Sequence, residues 1–230
     1  MIAVVRQTQL LLGADVRAMV AAIARQVSEH VGPAWGLGRM PIEICDEGLA
    51  PADAWIVRLV DEGTPGDLGW HSEAGSLPYG EVAVAPILAA GGGALTGRGP
   101  ESPAVSAVLS HEVIEMLCDP DAATWIDGPG GVQYALEACD PVEASGYQIN
   151  GVDVSDFVPA PWFGLAPTLT LAGNVLGPFG LAPGGYAITR AADGSIGELF
   201  GARRPAAWRL GGRRRARRLG ASGLAAGATA

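Results

Sequence analysis

The 230-residue chain is 49% hydrophobic and 17% charged, a balance that excludes intrinsic disorder as the default and suits one globular domain with a sizeable core. Its formal charge of −9 conceals a division: lysine is absent, eight of the fifteen arginines fall in residues 200–230 where no acid occurs, and residues 1–199 set seven arginines against twenty-four acids, a net of −17. So acidic a body argues against broad contact with duplex nucleic acid, and no apolar run approaches the length of a membrane span.

The start, Met1-Ile2-Ala3-Val4-Val5-Arg6, lacks the basic opening and long apolar stretch of a signal peptide. The expectation is a soluble protein, cytoplasmic or exported without a classical signal peptide. Residues 2–8 read as a first strand. Asp15 then reads as the cap of an amphipathic helix with Val16, Met19, Val20, Ile23, Val27 and Val31 on one stripe, stopped by Gly32-Pro33. Short strands are expected at 41–45, 54–60 and, after a turn-rich stretch, 81–87. Ala89-Ala90-Gly91-Gly92-Gly93 reads as a loop leading to a helix over 103–118, with Ser102 as its cap, Pro103 in its first turn and Pro120 beyond its end. Residues 141–200 are rich in proline and glycine, with strand candidates at 147–154 and 185–190. The layout is α+β: a mixed β-sheet with an N-terminal helix, a buried second helix and an irregular C-terminal part. Residues 1–200 form the expected domain, and 201–230 an Arg/Ala/Gly-rich tail expected to be disordered.

The second helix carries the chemistry. Val105, Leu109, Val113, Ile114, Met116 and Leu117 cover most of its circumference, leaving a sector with Ala104, Ala107, Val108, His111 and Glu115. A helix apolar nearly all round is buried, and buried ionised groups are tolerated when paired, hydrogen-bonded or bound to metal. His111, Glu112 and Glu115 are therefore expected to converge on a metal ion or a structural polar cluster. His111 and Glu115, four apart, share a face, with Glu112 about 100° around. Glu137 and Asp140 offer two further carboxylates downstream.

This arrangement resembles the zincin-type metallopeptidases as a His-Glu-x-x-Glu variant. It is more closely similar to an uncharacterised bacterial family with Ser-His-Glu-x-x-Glu-x-x-x-Asp-Pro followed by Glu-x-x-Asp, matched here at 110–120 and 137–140. The resemblance runs from Pro33-Ala34-Trp35-Gly36 through Gly69-Trp70-His71 and Trp125 to Val154-Ser155-Asp156-Phe157 and Trp162-Phe163. It implies a zincin-like fold and a zinc-dependent hydrolase acting on a peptide or protein. In that scheme His111 and Glu115 are metal ligands and Glu112 is the general base that polarises a bound water. The third ligand would come from a later helix, where Glu137 is the closest match; Asp140 either completes the sphere or orients His111. Two carboxylate ligands cancel the charge of a divalent ion and weaken its Lewis acidity, and oxygen donors suit harder ions, so Mn²⁺, Fe²⁺, Mg²⁺ and Ca²⁺ stand beside Zn²⁺, the first choice.

Other residues carry two readings each. His71 is either a surface-loop histidine or an auxiliary ligand or donor to the site; His30 suits the end of the first helix. Asp119 suits turn hydrogen bonding better than ligation. Trp125, Trp162 and Phe163 either line a cleft or pack a core. Strand 81–87 is expected to offer an edge for peptide pairing, as zincin edge strands do. Cys45, Cys118 and Cys139, odd in number and widely spaced, read as free thiols, with Cys139 also placed for ligation. The tail could touch nucleic acid or an acidic partner. The competing function is a non-catalytic zincin-like scaffold for assembly or partner binding, with a structural or degenerate metal site.

Overall fold

A computed structural model describes residues 1–64, 66–74 and 77–203. The expectation of a disordered tail therefore falls, beyond Arg203, outside the described residues. Strand β1 (Ile2–Arg6) is buried along four of its five residues. Helix α1 (Gly13–Gln26) buries Val16, Met19, Val20 and Ile23, the stripe expected of it. It begins before Asp15, which sits in the first turn rather than at the cap, where a carboxylate still favours the positive end of the helix. Gly32-Pro33 does not stop the helix: a π-turn at Val27–Val31 leads into α2 (Gly32–Trp35), whose proline lies in a first turn that needs no amide from it. The stop comes at Gly36, whose φ of 65° is left-handed.

Strands β2 (Ile42–Cys45), β3 (Trp55–Val60), β4 (Gly69–Ala74) and β5 (Leu77–Ala83) complete a five-stranded sheet in the order β2-β1-β3-β5-β4. β1 is parallel to β2 and β3, β3 is parallel to β5, and β4 runs antiparallel to β5. The sheet is mixed, as expected, but the strand expected at 81–87 is displaced. It occupies 77–83, and Val84–Ala89 is helix α3. Nor is it an edge, because β4 covers it. The sequence Gly-Trp-His-Ser-Glu-Ala lacks the apolar alternation of a strand, and β4 forms through backbone pairing to β5.

Helix α4 (Val105–Cys118) crosses beneath this sheet with eleven of its fourteen residues buried. Ser102 does not cap it, because its hydroxyl donates to the Ala90 carbonyl at 2.5 Å. The first-turn amides are instead met by the glycine-rich loop, Val105 N donating to Gly93 O at 2.9 Å and Ser106 N to Ala94 O at 3.0 Å. The loop approaches this closely because Gly92 has no Cβ; one built there would lie 2.0 Å from Pro103 O.

Short strands follow: β6 (Trp125–Asp127), β7 (Gln133–Ala135), β8 (Gly146–Ile149), β9 (Val152–Ser155), β10 (Thr168–Leu169), β11 (Val175–Leu176), β12 (Tyr186–Arg190) and β13 (Ile196–Phe200). The one strand expected at 147–154 is a hairpin, β8–β9, turning at Asn150-Gly151 with φ of 52° and 77°. Two serines of α4 fasten it: Ser110 Oγ accepts from Ser155 N at 2.7 Å, and Ser106 Oγ donates to Asp153 O at 2.7 Å. A second sheet, β13-β12-β7-β6, lies beyond. Among the described residues no helix is long and apolar enough to cross a membrane.

Candidate metal centre

His111, Glu112 and Glu115 are buried together in α4, with Glu112 and Glu115 fully inaccessible to solvent. His111 is the pivot. Its Nε2 lies 3.1 Å from Glu115 Oε1 and 3.5 Å from Asp140 Oδ1, while its Nδ1 lies 3.1 Å from Glu143 Oε2. Two donors each bound at about 2.1 Å to a tetrahedral ion stand about 3.4 Å apart, so both Nε2 separations suit shared ligation. The Glu143 carboxylate beside the other nitrogen favours a proton on Nδ1, the tautomer that would leave the Nε2 lone pair for an ion.

Among the described residues three buried or half-buried triads suit a cation: His111 with Glu115 and Cys139, His71 with Glu112 and Glu115, and His111 with Asp140 and Glu143. Glu137, the expected third ligand, is buried but belongs to none of these three. It does not come from a helix either; it lies in the connection between β7 and a 3-10 turn at Asp140–Val142. That turn, begun by Asp140-Pro141, aims the segment back at α4 and brings Glu143 to His111. The signal for Glu143 was its position three residues after Asp140, one turn along. Cys139 supports the site through its backbone, its amide donating to Glu115 Oε1 at 3.2 Å. Cys118 stays a thiol, since burial first, then the charges of Glu115, Glu137 and Asp119, push its pKa well up.

His71 is no surface-loop residue. It lies in β4, only 5% exposed, with Nδ1 3.4 Å from Glu112 Oε2 and 3.9 Å from Glu115 Oε2, and Nε2 3.2 Å from the Asp119 carbonyl. Gly69 makes the close approach of β4 possible, since a Cβ there would stand 2.8 Å from Glu112 Oε1. Burial, the strongest influence on His71, disfavours its charge, yet the Glu112 hydrogen bond and the fields of Glu137, Glu112 and Glu115 together raise its pKa above the ordinary 6.5. A value raised on folding stabilises the fold fully below the unfolded pKa and is lost as pH rises through the folded one. In chelator, the wild-type urea midpoint should therefore fall as pH climbs from 6.5, more steeply than that of His71→Gln. Parallel profiles would reject the buried imidazolium.

The small-residue sector of α4 faces open space except at Glu115, which is buried away from it while Glu112 takes its place. Ala104, Ala107, Val108, His111 and Glu112 line one wall of a cleft of about 250 Å³. Asp67 to Gly69, leading into β4, line a second wall, and Glu143 to Gln148 with Asp153 to Ser155 a third. The remaining candidates are accounted for by packing and turns. Trp162 is buried against Phe163 and Phe179, and Arg190 lies over the half-buried Trp125 with its guanidinium 4.5 Å from the ring centroid. Asp119 accepts from Thr124 N and Oγ1 at 2.9 and 2.7 Å. His30 Nδ1 lies 2.9 Å from Tyr147 OH. The buried His, Glu, Asp and Cys side chains thus form clusters capable of holding a divalent cation. No family model, curated protein or solved structure matches the chain.

Proposed function

We propose that the protein is a metal-dependent hydrolase of the zincin type, acting on peptide bonds in the cleft beside α4. The observation that carries this reading is His111, whose Nε2 is flanked by Glu115 and Asp140 while its Nδ1 faces Glu143. His111, Glu115 and Asp140 would hold the ion, with Glu115 and Asp140 closing on it from the separate triads in which each stands with His111, and the Glu143 carboxylate beside Nδ1 would favour the Nδ1–H tautomer. This assigns the third ligand to Asp140 in place of Glu137, whose charge instead acts on His71. A divalent cation supplies Lewis acidity at this position, acidifying water and polarising a carbonyl. Glu112, on the cleft wall, takes the proton from the attacking water and returns it to the leaving amine. Antiparallel β4, at the edge of the sheet and beside the cleft, offers main-chain groups to an extended peptide, the role first expected of β5.

The donor set, one imidazole and two carboxylates, cancels the charge of the ion and favours Zn²⁺ or a harder cation such as Mn²⁺. A non-catalytic scaffold draws support from one observation: a protonated His71 between Glu112 and Glu115 can offset one of their two charges without an ion. Elemental mass spectrometry of the untagged protein, paired with hydrolysis of a peptide library, separates the two. The hydrolase reading expects about one equivalent of metal and cleavage that stops in chelator and returns with Zn²⁺ or Mn²⁺. Absence of metal, with no uptake and no change in melting on chelation, would leave the scaffold.

A further inference from the structure

The charged residues lining the cleft are His111 and four acids, Asp67, Glu112, Glu143 and Asp153. Asp153 is held in place on the wall, its Oδ2 accepting the Gly97 amide at 2.7 Å and its Oδ1 accepting from Gln148 at 2.8 Å. The third wall property is apolar. Ala104, Ala107 and Val108 form a small-residue strip alongside the acids. Methylenes pack on such a strip while a guanidinium bonds to carboxylates in planar, forked geometry, so the lining suits an arginine side chain in particular.

One arginine, Arg203, is described near the rim. Arg203 Nη2 donates to Glu101 Oε1 at 2.8 Å, and Glu101 lies in the loop whose Pro100 and Pro103 line the cleft. The exposed pair contributes little energy, but it fixes where the chain leaves the described fold. Arg209, Arg213, Arg214, Arg215, Arg217 and Arg218 follow without an acid. Ten residues separate Arg203 from Arg213, an extended reach of about 33 Å, enough to turn back into the adjoining cleft. A tethered segment competes at an effective concentration on the order of millimolar.

We propose that the cleft beside His111 and Glu112 is a cation-selective peptide subsite, occupied in cis by the arginine-rich segment 209–218 of this same chain. The proposal rests on the cleft being the substrate groove of the function proposed above, and it makes the segment an autoinhibitor that arginine-bearing peptides displace.

The test is a titration of fluorescein-labelled peptide 209–220 against full-length protein in chelator, read by anisotropy, so that it does not depend on metal or turnover. A full-length variant with Arg213, Arg214, Arg215, Arg217 and Arg218 all changed to Gln should bind the peptide at least ten-fold more tightly than wild type, because the competitor in cis is gone. Adding Asp67→Asn, or separately Ala107→Phe to fill the cleft without altering charge, should return the affinity at least ten-fold toward weak binding. Circular dichroism checks that each variant folds. Equal affinity of wild type and the five-Gln variant would overturn occupancy in cis. Binding indifferent to both cleft substitutions would overturn the subsite and mark attraction to the acidic body alone. Metal-dependent hydrolysis beside either negative result would leave the proposed function standing, whereas relief by the five-Gln variant in a protein that, assayed without chelator, takes up no metal and cleaves no peptide would sink only the hydrolase.

Discussion

Glu112→Gln should abolish nearly all turnover, lowering kcat by about 10² to 10⁴-fold, while the protein keeps its metal. The reasoning turns on where the carboxylate stands. Glu112 is fully buried, reaches the cleft wall, and has Oε2 3.4 Å from His71 Nδ1. Glutamine occupies the same volume and its carbonyl still accepts from His71, so the close packing against Gly69 survives. What it lacks is basicity. The loss should therefore fall on kcat with KM little changed, the pattern of an interaction made in the transition state. Metal content measured on the same sample separates this from a lost ligand. Turnover within three-fold of wild type would reject Glu112 as the base.

The second large effect is expected at Glu115. Its Oε1 is 3.1 Å from His111 Nε2 and accepts the Cys139 amide, so one carboxylate ties α4 to the connection that carries Asp140 and Glu143. Glu115→Ala strips a partner from both groups inside the protein, at a cost of about 3 to 5 kcal/mol. At roughly 2 to 4 °C per kcal/mol for a chain of this size, melting should fall by on the order of 10 °C. Glu115→Gln separates ligation from folding: the amide oxygen can still accept from Cys139, but the anionic ligand is gone. That variant should melt within about 5 °C of apo wild type while losing tight metal binding. Stoichiometric metal retained in Glu115→Gln would remove Glu115 from the ligand set.

Most of α4 was legible from its residues alone. Large apolar side chains on nearly every face left one sector of small residues, and that sector faces the cleft. The start of the helix was misjudged by two residues because Ser102, a good cap by type, spends its hydroxyl on Ala90, and the Gly93 and Ala94 carbonyls supply what a cap would. Strand β4 escaped notice for a different reason. Its pairing is a property of the backbone, and Trp-His-Ser-Glu carries no period-two apolar signal. With β4 hidden, His71 read as a loop residue and β5 as an edge. Glu143 is harder to read, since its only signal is the spacing of three from Asp140, which becomes one turn only through the 3-10 turn at Asp140–Val142.

The serine fasteners between α4 and the β8–β9 hairpin have a consequence for how such a protein can change. Ser106 and Ser110 bond to backbone atoms of Asp153 and Ser155, and the hairpin supplies a wall of the cleft. Helix α4 and the hairpin wall of the cleft are thus one mechanical piece, spaced by hydroxyl-to-main-chain bonds rather than by the side chains that line the cleft. Gln148 can change without touching either fastener, whereas Tyr147 and Asp153 are tied in turn to His30 and to the Gly97 amide. The turn at Asn150-Gly151 stands outside the cleft lining, so residues inserted there would leave both fasteners and the cleft wall in place.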